Sequence, residues 1–258
     1  MKRIWLYISE KLSAFYLILL FFAAWQIIPS LGLVNTHFFP PLSQVLSEAG
    51  KVGYANILVN ILVSLRRVAV GFLLATAVAL PLGFVLAGAF RRLADLLSPL
   101  TTFLAQIPPF ILFPVFVVIF GTGELSVHIV IFWSAVWPIL FYTVTGATQV
   151  DSQLVKSARS MGADKLSIFF YVILPSSLPS ILTGMRSGLT LCFMMLIGAE
   201  TMGASSGMGW QINMAKRMAV VPRIYLITMV VAVVGLLINY LFELLENRIV
   251  IWKDVEEI

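Results

Sequence analysis

The amino-acid sequence predicts an all-α, polytopic membrane protein with six transmembrane helices. Of its 258 residues, 60% are hydrophobic and only 11% are charged, against about 25% charged in an ordinary soluble domain. A water-soluble fold of this length could not hide so much apolar surface. The apolar residues fall into six runs, each near the ~20 residues a helix needs to cross the hydrocarbon core. The net charge of +5 sits beside those runs and not along one stripe. That excludes a nucleic-acid partner and makes the basic residues topology signals.

The first run, Leu12 to Ile28, follows Lys2 and Arg3 and is long enough to span, so it reads as a span and not as a cleaved leader. Next comes Phe38-Phe39-Pro40-Pro41, then Leu42, Val45, Leu46 and Ala49 at helical spacing. This is a short amphipathic helix on the outer surface. The second run covers Val68 to Phe90. Its Gly71, Ala75, Ala79, Gly83 and Ala87 recur every four positions, a ridge that lets another helix approach closely. Pro81 kinks it. The third, Leu96 to Phe120, contains Pro108, Pro109 and Pro114. Prolines at membrane depth leave carbonyls that neighbouring protein or a wet cavity must satisfy. The run therefore reads as a broken helix, either beside a pathway or kinked for shape alone.

The fourth run, Leu125 to Ala147, places Trp133 and Trp137 one turn apart beside Pro138. Packing is favoured over stacking on a flat substrate. The fifth, Ile181 to Gly203, holds Arg186, Cys192, Met194, Met195 and Glu200, and the sixth covers Ile224 to Leu245. The methionines read as flexible filler, with a ligand-adapting surface as the other reading. Arg186 lies near a boundary and snorkels. Glu200 is about 21 Å further along the helix. It either lines a pathway or gate, or bonds the backbone turn at Gly203-Ala204-Ser205-Ser206-Gly207. Arg66 and Arg67, at the outer entrance of the second run, either snorkel to headgroups or attract an anionic substrate. Glu124 falls in a Gly-rich outer turn and is expected in water. His37, His128 and Cys192 have no partners at ligand spacing, so neither a metal site nor an intramembrane enzyme is expected.

With the N-terminus inside, one side collects Lys2, Arg3, Lys11, Arg91, Arg92, Lys156, Arg159, Lys165, Arg186, Arg248 and Lys253. The other receives Lys51, Arg66, Arg67, Lys216, Arg217 and Arg223. The bias predicts both termini in the cytoplasm.

Between the fourth and fifth runs lies Asp151-Ser152-Gln153-Leu154-Val155-Lys156-Ser157-Ala158-Arg159-Ser160-Met161-Gly162. Asp151 suits a helix N-cap and Gly162 a C′ position. Asp164 can cap a second helix through Ile173, which Leu174-Pro175 is expected to stop. Two short helices then make an elbow on the cytoplasmic face, suited to docking into another protein. On residues alone, an ordinary inter-helix loop stands beside that reading.

This elbow resembles the EAA loop of permease subunits in binding-protein-dependent ABC importers. The matching residues are Lys156-Ser157-Ala158, Gly162, Ile173, Leu174 and Pro175. Lys156 stands where the family has glutamate, and Ser157 replaces the first alanine. Ser64-Leu65-Arg66-Arg67-Val68-Ala69-Val70-Gly71-Phe72, Gln106-Ile107-Pro108-Pro109, Phe120-Gly121-Thr122-Gly123-Glu124, Ala199-Glu200 and Gly203-Ala204-Ser205-Ser206-Gly207-Met208-Gly209 are similar, in order, to segments of the nitrate/sulfonate/taurine-type permeases.

The resemblance implies a type I ABC importer transmembrane domain over residues 60–246, with its coupling loop at 151–175. Residues 1–59 form a preceding helix and outer segment, and 247–258 a cytoplasmic tail. It implies an inner-membrane location and a permease homodimer. It also implies two ATPase subunits contacting Lys156, Ser157, Ala158, Arg159, Gly162, Asp164, Leu174 and Pro175, and an extracytoplasmic binding protein. The substrate implied is a sulfonate, nitrate or related small molecule. Pathway or gate candidates are Glu200, Pro108, Pro109, Trp133, Trp137 and Met195. The chain has no Gly-x-x-x-x-Gly-Lys-Ser/Thr phosphate loop, so ATP and Mg are assigned to the partner ATPase and no cofactor to this chain. The alternative is a secondary transporter driven by an ion gradient. It calls for midplane charges and internal repeats, and few charges fall mid-span here.

Overall fold

Small residues decide which helices touch. In the computed structural model, which describes residues 2–88 and 91–250 with side chains for 16–88 and 92–250, every regular element is helical. The N-terminal part comprises α1 (Lys2–Ser30), α2 (Leu42–Val52) and α3 (Tyr54–Ala87). There follow α4 (Arg91–Gln106), α5 (Pro109–Phe120) and α6 (Glu124–Thr148). The elbow is α7 (Ser152–Ser160) and α8 (Lys165–Ile168), leading into α9 (Leu174–Gly203). Last come α10 (Met208–Arg217) and α11 (Val221–Ile249). The side chains of Lys2, Arg3, Lys11 and Arg91, together with Lys253 and the tail from 251 onward, lie outside the described residues.

Among the described residues, four helical runs are long and apolar enough to cross a membrane: Tyr54–Ala87, Glu124–Thr148, Lys165–Gly203 and Val221–Ile249. The third predicted span is the pair α4 and α5, which counts as a fifth if taken together and is bent by 86° at its break. The break falls at Ile107-Pro108, with Pro109 opening α5. Proline suits the first turn of a helix, where its missing N–H costs nothing. The first predicted span lies in α1, of which Tyr16–Ser30 is an apolar stretch among the described residues.

Helix α6 is the central element, clasped by α3 on one side and α9 on the other. The small ridge of α3 makes the first contact. Ala75 and Ala79 have no exposed surface, and a Cβ added at Gly83 would come within 2.7 Å of the Thr143 side chain. On the other side, a Cβ at Gly184 would lie 2.5 Å from Tyr142 Cβ, and one at Gly146 would lie 2.7 Å from Ser180 Cβ. Without those glycines neither helix reaches α6.

Two expectations are corrected. Helix α3 begins at Tyr54, not near Val68, because Gly53 with its φ of 85° starts a new helix straight after α2. Arg66 and Arg67 are therefore well inside a helix and not at its entrance. Leu174-Pro175 does not stop the elbow. Helix α8 runs through a π-helical turn at Phe169–Ile173 directly into α9. The Leu174 N–H donates to the Phe169 carbonyl, five residues back. The widened turn accommodates Pro175, which lacks an N–H and crowds the carbonyl four residues before it.

Replacing Gly83 with leucine should lower the thermal midpoint in detergent by an amount equivalent to about 1–3 kcal/mol of overpacking. Replacing Leu73 with alanine, 63% exposed on the other side of α3, should leave it nearly unchanged.

Candidate functional site: a buried charge lock and a capped elbow

At the end of the bundle away from the elbow, one face of α3 carries Asn60, Ser64 and Arg67 at helical spacing, all 5% exposed or less. These three side chains meet the turn that follows α9 and the first turn of α10. A helix N-terminus offers N–H groups with no partner inside the helix. Here side chains supply the acceptors. The Gly207 N–H donates to Asn60 Oδ1 at 2.7 Å, Met208 N–H to Ser64 Oγ at 2.9 Å, and Gly209 N–H to Glu200 Oε2 at 2.8 Å. Ser64 Oγ in turn donates toward the Glu200 carboxylate, 2.8 Å from Oε1. Gly207 has a φ of 107°, a backbone region closed to most side chains. A Cβ there would also collide with the Glu200 carboxylate.

Arg67 completes the cluster. Its Nη1 donates to Glu200 Oε1 and to the Ser206 carbonyl, both at 2.7 Å. Its Nε donates to Glu124 Oε2 at 2.9 Å, and Nη2 pairs with the other Glu124 oxygen and with Ser206 Oγ at 3.1 Å. A guanidinium has five N–H donors, and all five are engaged. The Arg67 and Glu200 side chains are 1% and 0% exposed, whereas Glu124 is 48% exposed. Arg66 remains at the surface, 3.9 Å from Glu124. Beside the cluster lies a cavity of about 240 Å³ lined by Arg67, Thr122, Gly123, Glu124, Gly203 and Ser205 among others.

Arg67 thus does not snorkel, and Glu124 is not simply solvated. Glu200 bonds the backbone turn after α9, one of its two predicted roles, and it faces no open space in this conformation. Sequence reasoning weighed these residues separately and missed their convergence. The available signal was the Asn60, Ser64, Arg67 spacing on one face of an apolar helix.

The other sequence-predicted residues lie elsewhere. Trp133 and Trp137 pack edge to face with ring centroids 5.2 Å apart, and Trp133 also meets Phe116 of α5. Both indole N–H groups are enclosed without an acceptor. Met195 is half-buried on α9. Arg186 forms an ion pair with Glu243 of α11 at 2.9 Å. Among the described residues, no three His, Cys, Asp or Glu side chains come together as a metal site would need.

The elbow has capped ends. Asp151 Oδ1 accepts from the Gln153 N–H at 2.8 Å and Asp164 Oδ1 from the Ser167 N–H at 3.2 Å. The Ser167 bonds hold the Asp164 carboxyl below the usual aspartate value. Helix α7 ends in a Schellman motif: Ala163 N–H donates to the Ala158 carbonyl and Gly162 N–H to that of Arg159. Gly162 supplies the φ of 86° that this motif requires. Lys156, Ser157 and Arg159 are exposed, and Ala158 is buried beneath them. Met161, Leu166, Phe170 and Tyr171 also face outward, Met161 and Tyr171 at 82% exposure.

Replacing Arg67 with methionine leaves Glu200 buried without its cation, which costs on the order of 3–5 kcal/mol. We expect a large drop in melting temperature and in monodisperse yield. Glu124→Gln, at a half-exposed partner, should cost much less. Restoring neutrality in an Arg67→Met/Glu200→Gln double variant should recover part of the loss in a double-mutant cycle.

Residues 79–251 match the family model of binding-protein-dependent transport system inner membrane components. The chain is similar to a putative aliphatic sulfonates transport permease of Bacillus subtilis, 32% identical over 236 residues, 91% of this chain and 85% of that protein. It is similar to a nitrate import permease of Synechocystis, 33% identical over 192 residues, 74% of this chain and 70% of that one. Among solved structures, an inward-facing conformation of the MetNI methionine ABC transporter superposes with a TM-score of 0.62. That match covers 76% of this chain and 95% of the other at 20% identity, and it concerns the fold alone. The chain belongs to the family of inner-membrane components of binding-protein-dependent transport systems, and is a multi-pass ABC importer permease of the nitrate/sulfonate/taurine type.

Proposed function

We propose that two copies of this chain form the translocation pathway of an importer for a small oxyanion, an alkyl sulfonate or nitrate, driven by two separate ATPase subunits that grip the elbow. The relatives named for sulfonates and nitrate support the substrate class. The carrying observation for coupling is the continuous helical run from Lys165 to Gly203, 39 residues long. It begins in the elbow and ends at the turn locked by Arg67. At 1.5 Å per residue its path is roughly 60 Å long, with a π turn at Phe169–Ile173 and Pro179 along it. On this proposal a push on the elbow is passed along α9 to the far end. In this reading, Lys156, Ser157, Ala158, Arg159, Gly162, Asp164, Leu174 and Pro175 form the docking element. Its shape is set by two caps, the Schellman turn and the π turn.

ATP and Mg belong to the partner subunits. In this reading both termini are cytoplasmic, as the Lys and Arg bias predicts, and a binding protein delivers substrate to the opposite face. Pro108, Pro109, Trp133, Trp137 and Met195 remain candidates for the pathway wall. Glu200 is the gate-side lock. Arg67 has no free donor, so an anion has nothing to bind there while the lock is closed.

The test is reconstitution in proteoliposomes with candidate ATPases and binding proteins. ATP-dependent uptake of a labelled sulfonate or nitrate should persist when ion gradients are collapsed. Gly162→Val forces a β-branched residue into left-handed backbone and should cut uptake at least about tenfold, an effect of ~1.4 kcal/mol or more, while the chain stays folded. If no ATPase co-purifies, and the Gly162 variant transports normally, the proposal fails.

A further inference from the structure

A groove of about 560 Å³ runs between α3 and α11 under the end of α2, and no polar surface lines it. Leu46, Leu65, Leu226, Val230, Val233 and Leu241 form its walls. From Leu226 to Leu241 it follows α11 for about 22 Å, long enough to seat an acyl chain within a hydrocarbon core of about 30 Å.

The mouth of the groove is basic. Arg223 stands one turn above Leu226 on the same stripe of α11, continuing the spacing of 226, 230 and 233. Its Nη2 is 3.5 Å from Glu48. Its Nε–H is enclosed and has no acceptor among the described residues. Lys51, whose side chain is 66% exposed, pairs with the same Glu48 at 2.5 Å. The Lys51 hydrogen bond and the two nearby cations hold the Glu48 carboxyl below its usual value. Two cations thus face one carboxylate, with Lys216 and Arg217 exposed at the end of α10 just before. The local excess is positive, and one buried donor is unfilled.

The depth of this mouth is also marked. Trp25, Phe39 and Tyr225 form an aromatic cluster, with Trp25 and Tyr225 centroids 5.8 Å apart. Their polar ends reach backbone carbonyls: Trp25 Nε1 donates to Pro40 and Tyr225 Oη to Phe38, both at 3.1 Å. Such rings collect at the level of lipid headgroups. Tyr225 lies two residues from Arg223, so the Arg223 side chain, 26% exposed, sits at headgroup depth with an apolar slot beneath it.

We infer that this groove is a site for an anionic phospholipid, its phosphate accepting from the partly exposed guanidinium of Arg223 and from Lys51 while one acyl chain fills the slot between α3 and α11. A basic side chain near an anionic headgroup favours binding. The inference rests on membrane residence alone and stands apart from the transport reading.

The full chain, purified in detergent and stripped of lipid, is titrated with phosphatidylglycerol, with phosphatidylcholine of the same chains, and with inorganic phosphate. Retained lipid is counted by native mass spectrometry and stability followed by thermal midpoint. We expect one phosphatidylglycerol retained on the order of five- to tenfold more tightly than phosphatidylcholine, with a rise in midpoint that phosphate alone does not produce. Arg223→Gln should abolish the preference and Arg223→Lys keep most of it. Val233→Trp, at a 54% exposed position in the slot, should weaken both lipids while leaving the lipid-free midpoint unchanged. Equal retention of the two lipids, a preference that survives Arg223→Gln, or stabilisation by phosphate alone would overturn the assignment. So would a slot filled by a second copy of the chain, seen as a lipid-independent dimer that Val233→Trp breaks.

Discussion

Arg67 carries five N–H donors into a site with almost no exposed surface, and each ends on Glu124, Glu200 or Ser206. Desolvating a guanidinium and a carboxylate together is costly unless hydrogen bonds are complete. Here they are complete on both sides. Glu200 also accepts from Ser64 and from the N–H of Gly209. One cation thereby joins α3, the start of α6, the end of α9 and the start of α10. Chain segments that are distant in sequence become one rigid cap on the bundle.

The rest of the membrane domain hangs from that cap. Helix α6 is held on both flanks by glycine and alanine contacts, which bring backbones close where the hydrophobic effect supplies no driving force between helices. Helix α9 crosses beside it from cap to elbow. Along the way it is tied to α11 by the Arg186–Glu243 ion pair and by Thr190 donating to Asn239 at 3.1 Å. The aligned small-residue faces hold α3, α6 and α9 together as one close-packed core. The peripheral groove between α3 and α11 is different. Its walls are branched side chains that leave space, and a hydrocarbon chain fills such space more readily than a helix backbone does.

The elbow shows a different use of local chemistry. Its caps are made within a few residues, so its shape depends little on the bundle. The departure from the family pattern at Lys156 changes the charge of an exposed position and leaves the buried Ala158 and the Gly162 turn as they are. A partner surface meeting this elbow therefore encounters Lys156, Arg159 and Lys165 around a rim of Met161, Leu166 and Tyr171, with Asp164 engaged in its own cap.

By itself, the sequence determined membrane residence, an all-helical chain, the break at Pro108-Pro109, the small-residue ridge of α3 and the caps of the elbow. Each is written in periodicity or in residues whose effect is local: proline removes an N–H, glycine admits positive φ, aspartate caps. Only the tertiary structure decided where the charges go. Nothing local distinguishes a snorkelling Arg67 from a buried one, since the difference lies in Glu124 and Glu200, 57 and 133 positions away. The same holds for Leu174-Pro175, which reads as a stop until a π turn absorbs the missing hydrogen bond and carries the elbow into α9. Long-range pairing of polar groups in a dry interior is set by the packing that brings them together, and packing is the one thing a linear pattern does not specify.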